Sequence, residues 1–315
     1  MKAALFRRFG GTDVLELADI EAPVPKPGEI RVRVRASSVN AFESDIREGA
    51  FNLLTGRRFP MITGHDIAGE VESLGEGSSL FQVGDCVFAM RKAFSNGAQA
   101  ELAVVPESAA ALIPAGVSTK DAGVVPLAAL TAWQSLHEIG GLAAGQRVLI
   151  NGASGGVGTF AVQFARAAGA EVTGVCSQAN ADLVGKLGAS EVIDYKFRDP
   201  TQATGFDLVF DSVAKLPFSA SRQMLKPGGT WVCTRFTGAY VKARLLSPLT
   251  GRRVRMVAVK AKGEQLDQIG ALIAAGKVET VIDKTYPITE IVAAHATSAT
   301  GRVRGKIAID VSWQA

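Results

Sequence analysis

The chain reads as an α/β protein, a doubly wound parallel sheet inserted into a β-rich domain. Three observations predict this. Residues 146–169 spell a strand, a glycine-rich turn and a helix in that order; residues 1 to about 120 carry short strands separated by turn residues; and from there strands and helices alternate strictly.

In the β-rich part, Ile30, Val32 and Val34 alternate with Arg31, Arg33 and Arg35, the period of a half-buried strand. Pro23, Pro25, Pro27 and Gly28 precede it as a turn-rich approach. Further short strands are predicted at 67–74, 86–90 and 101–105, with spacing too irregular for a repeat and suited to a compact barrel-like domain. The Ala- and Leu-rich stretch 122–136 predicts helices leading into the strand Val148–Ile150. Gly152, Gly155, Gly156 and Gly158 then form a turn that serves a tight reversal, close approach of backbone to a pyrophosphate, and close helix–strand packing. The following helix starts with free N–H groups and about half a positive charge facing that anion. Strands at 171–176, 191–193, 207–210 and 230–234 follow, with helices at 181–187 and 219–225 and a break at Lys226-Pro-Gly-Gly229. The tail predicts helices at 264–275 and 290–295 and a last strand at 306–311, returning to the first domain. The expected domains are 1–121, 122–260 for the nucleotide-binding insertion, and 261–315.

Composition narrows the function. With 315 residues, 47% hydrophobic and 20% charged, the chain has room for two domains and a core that needs no staples. A net charge of +4 is too mild to argue for nucleic acid. Cys86, Cys176 and Cys233 are sparse and lack a CxxC pair, which argues against a disulfide framework or a cysteine-rich metal site. No apolar run approaches the roughly 20 residues of a membrane span. The opening residues meet Arg7 too early for a signal peptide, so a cytoplasmic enzyme is expected.

Nearly the whole chain resembles the medium-chain dehydrogenase/reductase superfamily, most of all its zinc-free quinone oxidoreductase branch, which includes the zeta-crystallin-like proteins. The matching stretches are Ser38-Val-Asn40, Gly64-His-Asp-Ile-Ala-Gly-Glu-Val71, Gly84-Asp85, Pro126 to Trp133, the glycine turn, Val192-Ile-Asp-Tyr195, Asp211-Ser-Val213 and Gly305-Lys-Ile307. The resemblance implies a GroES-like β-rich catalytic domain, an inserted Rossmann domain and a cleft between them. For the cofactor it implies Thr131, Ser154, Gly155, Gly156 and Val157, then Ser177, Asn180 and Tyr195 at the 2′ position, and Ser212, Val213, Thr234 and Phe236 along the nicotinamide side.

Zinc members of the superfamily carry a cysteine where this chain has Asn40 and a histidine ligand matching His65. A further cysteine comes from the region 126–133, which has none here. One imidazole does not make the three-ligand site of catalytic zinc, so no metal is expected. The strand ending Gly174-Val-Cys-Ser177 lacks the acid that favours NAD, so NADPH is expected over NADH. Against this, Ala179 stands where relatives often carry a lysine; Lys186 or Lys196 are candidate substitutes.

Without a Lewis acid, hydride delivery suits a quinone or an alkene conjugated to a carbonyl. Asn40 is the candidate polar contact and Glu43 the candidate proton relay, with turn and packing roles as their alternatives; Tyr240 is a weaker proton donor. Two rival functions stay open: a discrete enoyl thioester reductase, favoured by the basic run from Lys242 to Lys262, and a regulatory nucleotide- or RNA-binding protein with little turnover. Val254, Met256 and Ala258 alternate within that run as an edge strand, and the resemblance implies a homodimer formed through it.

Overall fold

The structure is a computed structural model that describes residues 1–52, 58–92, 95 and 97–313. The chain divides into two compact units: 1–130 with 260–276 and 280–315, and 131–259 with 277–279.

The first unit is built on the strand Glu29–Val39. Its first half alternates as read, with Ile30, Val32 and Val34 buried, and then Ala36 to Val39 is buried on every residue. That strand pairs antiparallel with Asp66–Leu74, Leu102–Pro106 and Lys306–Asp310, the last in the register Val39 to Ile307 and Ser38 to Ala308. The full sheet has seven strands, and Ile282–Pro287 closes one end by pairing parallel with Lys306–Asp310. A separate three-stranded sheet runs Leu15–Asp19, Lys2–Phe6, Met61–Ile62. The core between these layers is aliphatic, including Ile30, Ile67, Val87, Val105 and Ile309. Of the strands expected here, 86–90 is found as read and the others shift by a residue.

The second unit carries six parallel strands in the order Glu191–Asp194, Glu171–Cys176, Arg147–Asn151, Phe206–Asp211, Leu225–Cys233, Arg253–Met256. Two mononucleotide-binding halves thus diverge from Arg147–Asn151, the Rossmann arrangement. The helix Gly156–Ala167 follows that central strand, burying Phe160, Val162, Phe164 and Ala165. Lys226-Pro-Gly-Gly229 breaks the strand rather than preceding it: Leu225 pairs with Phe206, and regular pairing resumes only at Thr230 with Leu208, with Gly228 at φ +77°. After the helix Pro126–Trp133 comes a π-helical stretch, Gln134–Ile139, which carries the helical region three residues beyond the expected 122–136.

Candidate active site

In the first unit a buried polar cluster forms where the strand Glu29–Val39 passes into the helix Ala41–Arg47. Asn40 is the helix N-cap, and Asn40 and Glu43 make a reciprocal capping box that satisfies first-turn donors. Asn40 Nδ2 donates to Glu43 Oε1 at 3.0 Å and to Asp66 Oδ2 at 2.9 Å, so both amide hydrogens are committed within the protein. Its Oδ1 accepts from the Lys306 ammonium, which lies 3.5 Å from Asp66 Oδ2 and is itself buried. Asp66 Oδ2 also accepts from Ser38 Oγ, and Oδ1 accepts from the Leu127 backbone N–H at 2.6 Å.

Glu43 faces the other way as well, with Oε1 3.3 Å from His65 Nδ1. Burial pushes the Glu43 carboxyl up, but the hydrogen bond and charge of His65, with help from Asn40, more than offset it and hold the group below the ordinary value of 4.5. The carboxylate can only accept, so Nδ1 carries the proton it shares with Glu43. Among the described residues the opposite nitrogen, Nε2, is buried without a hydrogen-bond partner. Such an orphan costs about 1–3 kcal/mol, and its retention calls for a reason. A second buried chain runs alongside. Arg47 Nη1 donates to His295 Nδ1 at 3.2 Å, leaving His295 Nε2 to donate to Gln99 Oε1, and Gln99 Nε2 donates to Ser38 O at 3.1 Å.

In the second unit the glycine turn fits a dinucleotide pyrophosphate. Gly152 holds φ +79°, and a Cβ on Gly158 would stand 2.0 Å from Gly152 O, so helix and turn close only on glycine. The helix Gly156–Ala167 begins on Gly155 with no side-chain cap, which leaves its N-terminal end to an anion. Asn180 Nδ2 donates to Ser154 Oγ at 3.0 Å, tying the turn after Glu171–Cys176 to the phosphate loop. Ser212 Oγ donates to Asn151 O at 2.7 Å, Thr234 Oγ1 donates to Ser212 O at 3.1 Å, and Val213 flanks Gly152. Ser154 and Asn180 are thereby joined, as are Ser212, Val213 and Thr234. Tyr195 and Phe236 are exposed, Phe236 against the Tyr240 ring, and Thr131 is buried on the helix Pro126–Trp133. Burial pushes the Cys176 and Cys233 thiols up to about 11, so both are inert packing groups.

Comparison with known proteins agrees with both halves of this layout. Residues 26–115 match the profile of the alcohol dehydrogenase GroES-like domain, and 187–309 that of the zinc-binding dehydrogenases. The chain is 33% identical to the mitochondrial NAD(P)H oxidoreductase RTN4IP1 of Mus musculus, over 99% of this chain and 89% of that protein. It is also 33% identical to the chloroplastic quinone-oxidoreductase QR1 of Triphysaria versicolor, over 98% of each. The solved quinone oxidoreductase of Coxiella burnetii superposes with a TM-score of 0.92 at 29% identity, covering 99% of both chains.

The chain belongs to the medium-chain dehydrogenase/reductase superfamily. Within that superfamily it falls with the quinone oxidoreductases, and it is an oxidoreductase with the GroES-like and Rossmann domains its sequence predicts. Some members of the superfamily hold zinc, and the donors present here do not fit that ion. Asn40, which the resemblance matches to a zinc thiolate, offers an amide in its place, and its oxygen already accepts from the Lys306 ammonium. The unit's cysteine, Cys86, is exposed, and among the described residues no group of three His, Cys, Asp or Glu is placed to hold a metal.

Two site residues escaped the sequence reading. Lys306 was seen only as part of a matching stretch; a charged residue inside an apolar strand, as in Gly305-Lys-Ile-Ala-Ile-Asp310, is the signal that could have found it. Asp194 is the second. It ends the strand beside Cys176, close to the expected 2′ position, and its oxygens accept from Gln178 N at 3.0 Å and Lys196 N at 2.9 Å.

Proposed function

We propose that this protein is a zinc-independent reductase that uses NADPH, in preference to NADH, to reduce quinones or α,β-unsaturated carbonyl compounds. The main support is Lys306, a buried ammonium bonded to Asn40 and close to Asp66, which adds a fixed positive charge to the cluster that the resemblance matches to a zinc site. Bound NADPH supplies a hydride, and the acceptors that take one without a Lewis acid are already electron-poor. The chain's own residues bind, orient and protect. Gly155, Gly156 and Val157 present the helix N-terminus to the pyrophosphate, with Ser154 and Asn180 fixed against each other beside it. Ser177, Asn180 and Tyr195 receive the 2′-phosphate; Thr131, Ser212, Val213, Thr234 and Phe236 line the nicotinamide side. Asn40 and Glu43 hold the polar cluster that meets the acceptor. The absence of an acid on Ser177 favours the phosphate, and Asp194 has both oxygens engaged by backbone N–H groups.

The test is oxidation of NADPH and NADH against 1,4-benzoquinone, 9,10-phenanthrenequinone, 2-alkenals and crotonyl-CoA, before and after chelation. Chelator-resistant turnover with NADPH is expected. Activity that dies with chelation sinks zinc independence, and silence with every acceptor sinks the reductase function. Preference for crotonyl-CoA would select the enoyl thioester alternative, which the exposed cations Lys242, Arg244 and Arg253 favour. The proposal extends to a homodimer paired through the edge strand Arg253–Met256, tested by sedimentation. It also extends to a cytoplasmic location, tested by fractionation because the two relatives named above are organellar. Among the described residues no helix is long and apolar enough to cross a membrane.

A further inference from the structure

We propose that His65 Nε2 is the group that holds the acceptor's oxygen and gives it a proton, with Glu43, Asn40 and Lys306 as its positioning residues. This inference rests on the reductase function proposed above.

In the cluster, Asn40 has both amide hydrogens and its oxygen engaged, Glu43 is shared between Asn40 and His65, and Lys306 is spent on Asn40 and Asp66. Both oxygens of Asp66 are likewise taken, by Ser38, Asn40, Lys306 and Leu127. Within this set His65 Nε2 is the polar atom left without a partner, on a side chain 5% exposed. The bonds run in one direction: the Lys306 ammonium donates to the Asn40 oxygen, the Asn40 amide donates to Glu43, and Glu43 takes Nδ1–H of His65. That chain of bonds fixes the ring with Nδ1 turned to Glu43 and leaves Nε2 as the ring atom from which a proton can pass. The charged and titratable groups near the ring are Glu43, Asp66 next in sequence, Lys306 bonded to Asn40 and Asp66, Arg47 one turn along the helix from Glu43, and His295, which Arg47 bonds and whose charge reaches Glu43. The Phe42 ring packs beside it, tilted by 59° with 5.5 Å between centroids.

The chemistry balances. Hydride transfer moves two electrons and one hydrogen from NADPH to the acceptor, so the nicotinamide is oxidised and a quinone is reduced to the hydroquinone anion, or an enone to its enolate. The Nε2–H bond then breaks as the new O–H bond forms, leaving neutral imidazole and a hydroquinone or enol. Solvent returns the proton to His65 after product leaves.

The experiment uses the full chain, NADPH and 9,10-phenanthrenequinone or a 2-alkenal in single-turnover and steady-state assays. His65→Asn is expected to lower kcat about a hundredfold, the usual scale of a lost general acid, with the Kd for NADPH unchanged. Glu43→Gln is expected to lower kcat about tenfold, and the double variant to match His65→Asn alone, which a merely structural role for Glu43 does not produce. The wild-type rate is expected to fall about twofold in D2O, and that isotope effect to vanish in His65→Asn. Wild-type kcat retained in His65→Asn overturns the proposal. Should both variants fail to fold, equal single-turnover rates of the wild type in H2O and D2O overturn it. Wild type that turns over none of the acceptors fails one step earlier, at the reductase function itself.

Discussion

The Lys306 ammonium stands 3.5 Å from Asp66 Oδ2, both side chains buried, with Asn40 bonded to each of them. Removing one member leaves the other charge buried without its partner, which is far more costly than the pair itself is stabilising. Lys306→Met is therefore expected to lower stability by about 3–5 kcal/mol. The double variant Asp66→Asn, Lys306→Met should lose less than the two single losses together, since each single change exposes the other's penalty. Urea denaturation of the four proteins checks this; strictly additive losses would mean the two groups do not interact.

His295 predicts how stability depends on acid. Burial, with Arg47 beside it, depresses its pKa from 6.5 to about 4, against a smaller raising effect of Glu43. The unfolded chain then takes up a proton between those values that the folded protein refuses. Stability from this source is complete above about pH 6.5, falls as the pH drops, and stops falling below about 4, for a total of about 3 kcal/mol. Glu43, held below 4.5, adds its own loss only under more acidic conditions. Urea midpoints at pH 7 and 5 should differ in the wild type and much less in His295→Gln.

The glycine turn makes a steric prediction. With only 2.0 Å between a Cβ at position 158 and Gly152 O, Gly158→Ala must push the helix away from the loop. Overpacking of this kind costs about 1–3 kcal/mol, and here it also displaces the N–H groups that face the pyrophosphate. NADPH affinity, read by quenching of protein fluorescence, should weaken at least about tenfold. Unchanged affinity would remove the pyrophosphate from this turn.

Cofactor choice is open to engineering at Ala179, an exposed residue in the turn Gln178–Asn180. Ala179→Lys adds a cation near the expected 2′-phosphate and should tighten NADPH by about fivefold at low salt while leaving NADH unchanged. The gain should shrink as salt is raised. A variant that tightens both cofactors equally would show the lysine acting elsewhere.

Much of the fold was legible because it rests on period and punctuation. The parallel strands are short apolar runs bounded by glycine or polar turns, and the helix 181–187 and the strands 171–176 and 86–90 fall where the pattern puts them. The strand Ile282–Pro287 was missed because it lies at the sheet's end, with Asp283, Lys284 and Thr285 all exposed and no alternation to read. Lys2–Phe6 was missed for the opposite reason, four buried residues in succession without a polar face. At the site, Asn40 and Glu43 could be picked out by their spacing of three residues, which is also that of a capping box. His65, the partner of Glu43, and Lys306, the partner of Asn40, are brought to them by sheet pairing and tertiary packing, contacts that no local pattern encodes.

The strand Glu29–Val39 takes its neighbour Lys306–Asp310 from nearly the opposite end of the chain, with Val39 opposite Ile307. During synthesis the parallel sheet of residues 147–256 has all its strands available well before this pairing can occur, so the GroES-like sheet is the late event and carries the large loop-closure cost. Until Lys306 leaves the ribosome, Asp66 and Glu43 have to share the nascent pocket without the ammonium that balances them. A chain halted before residue 306 would lack both that sheet partner and that charge, so the cluster cannot assemble until residues 306–310 have been made.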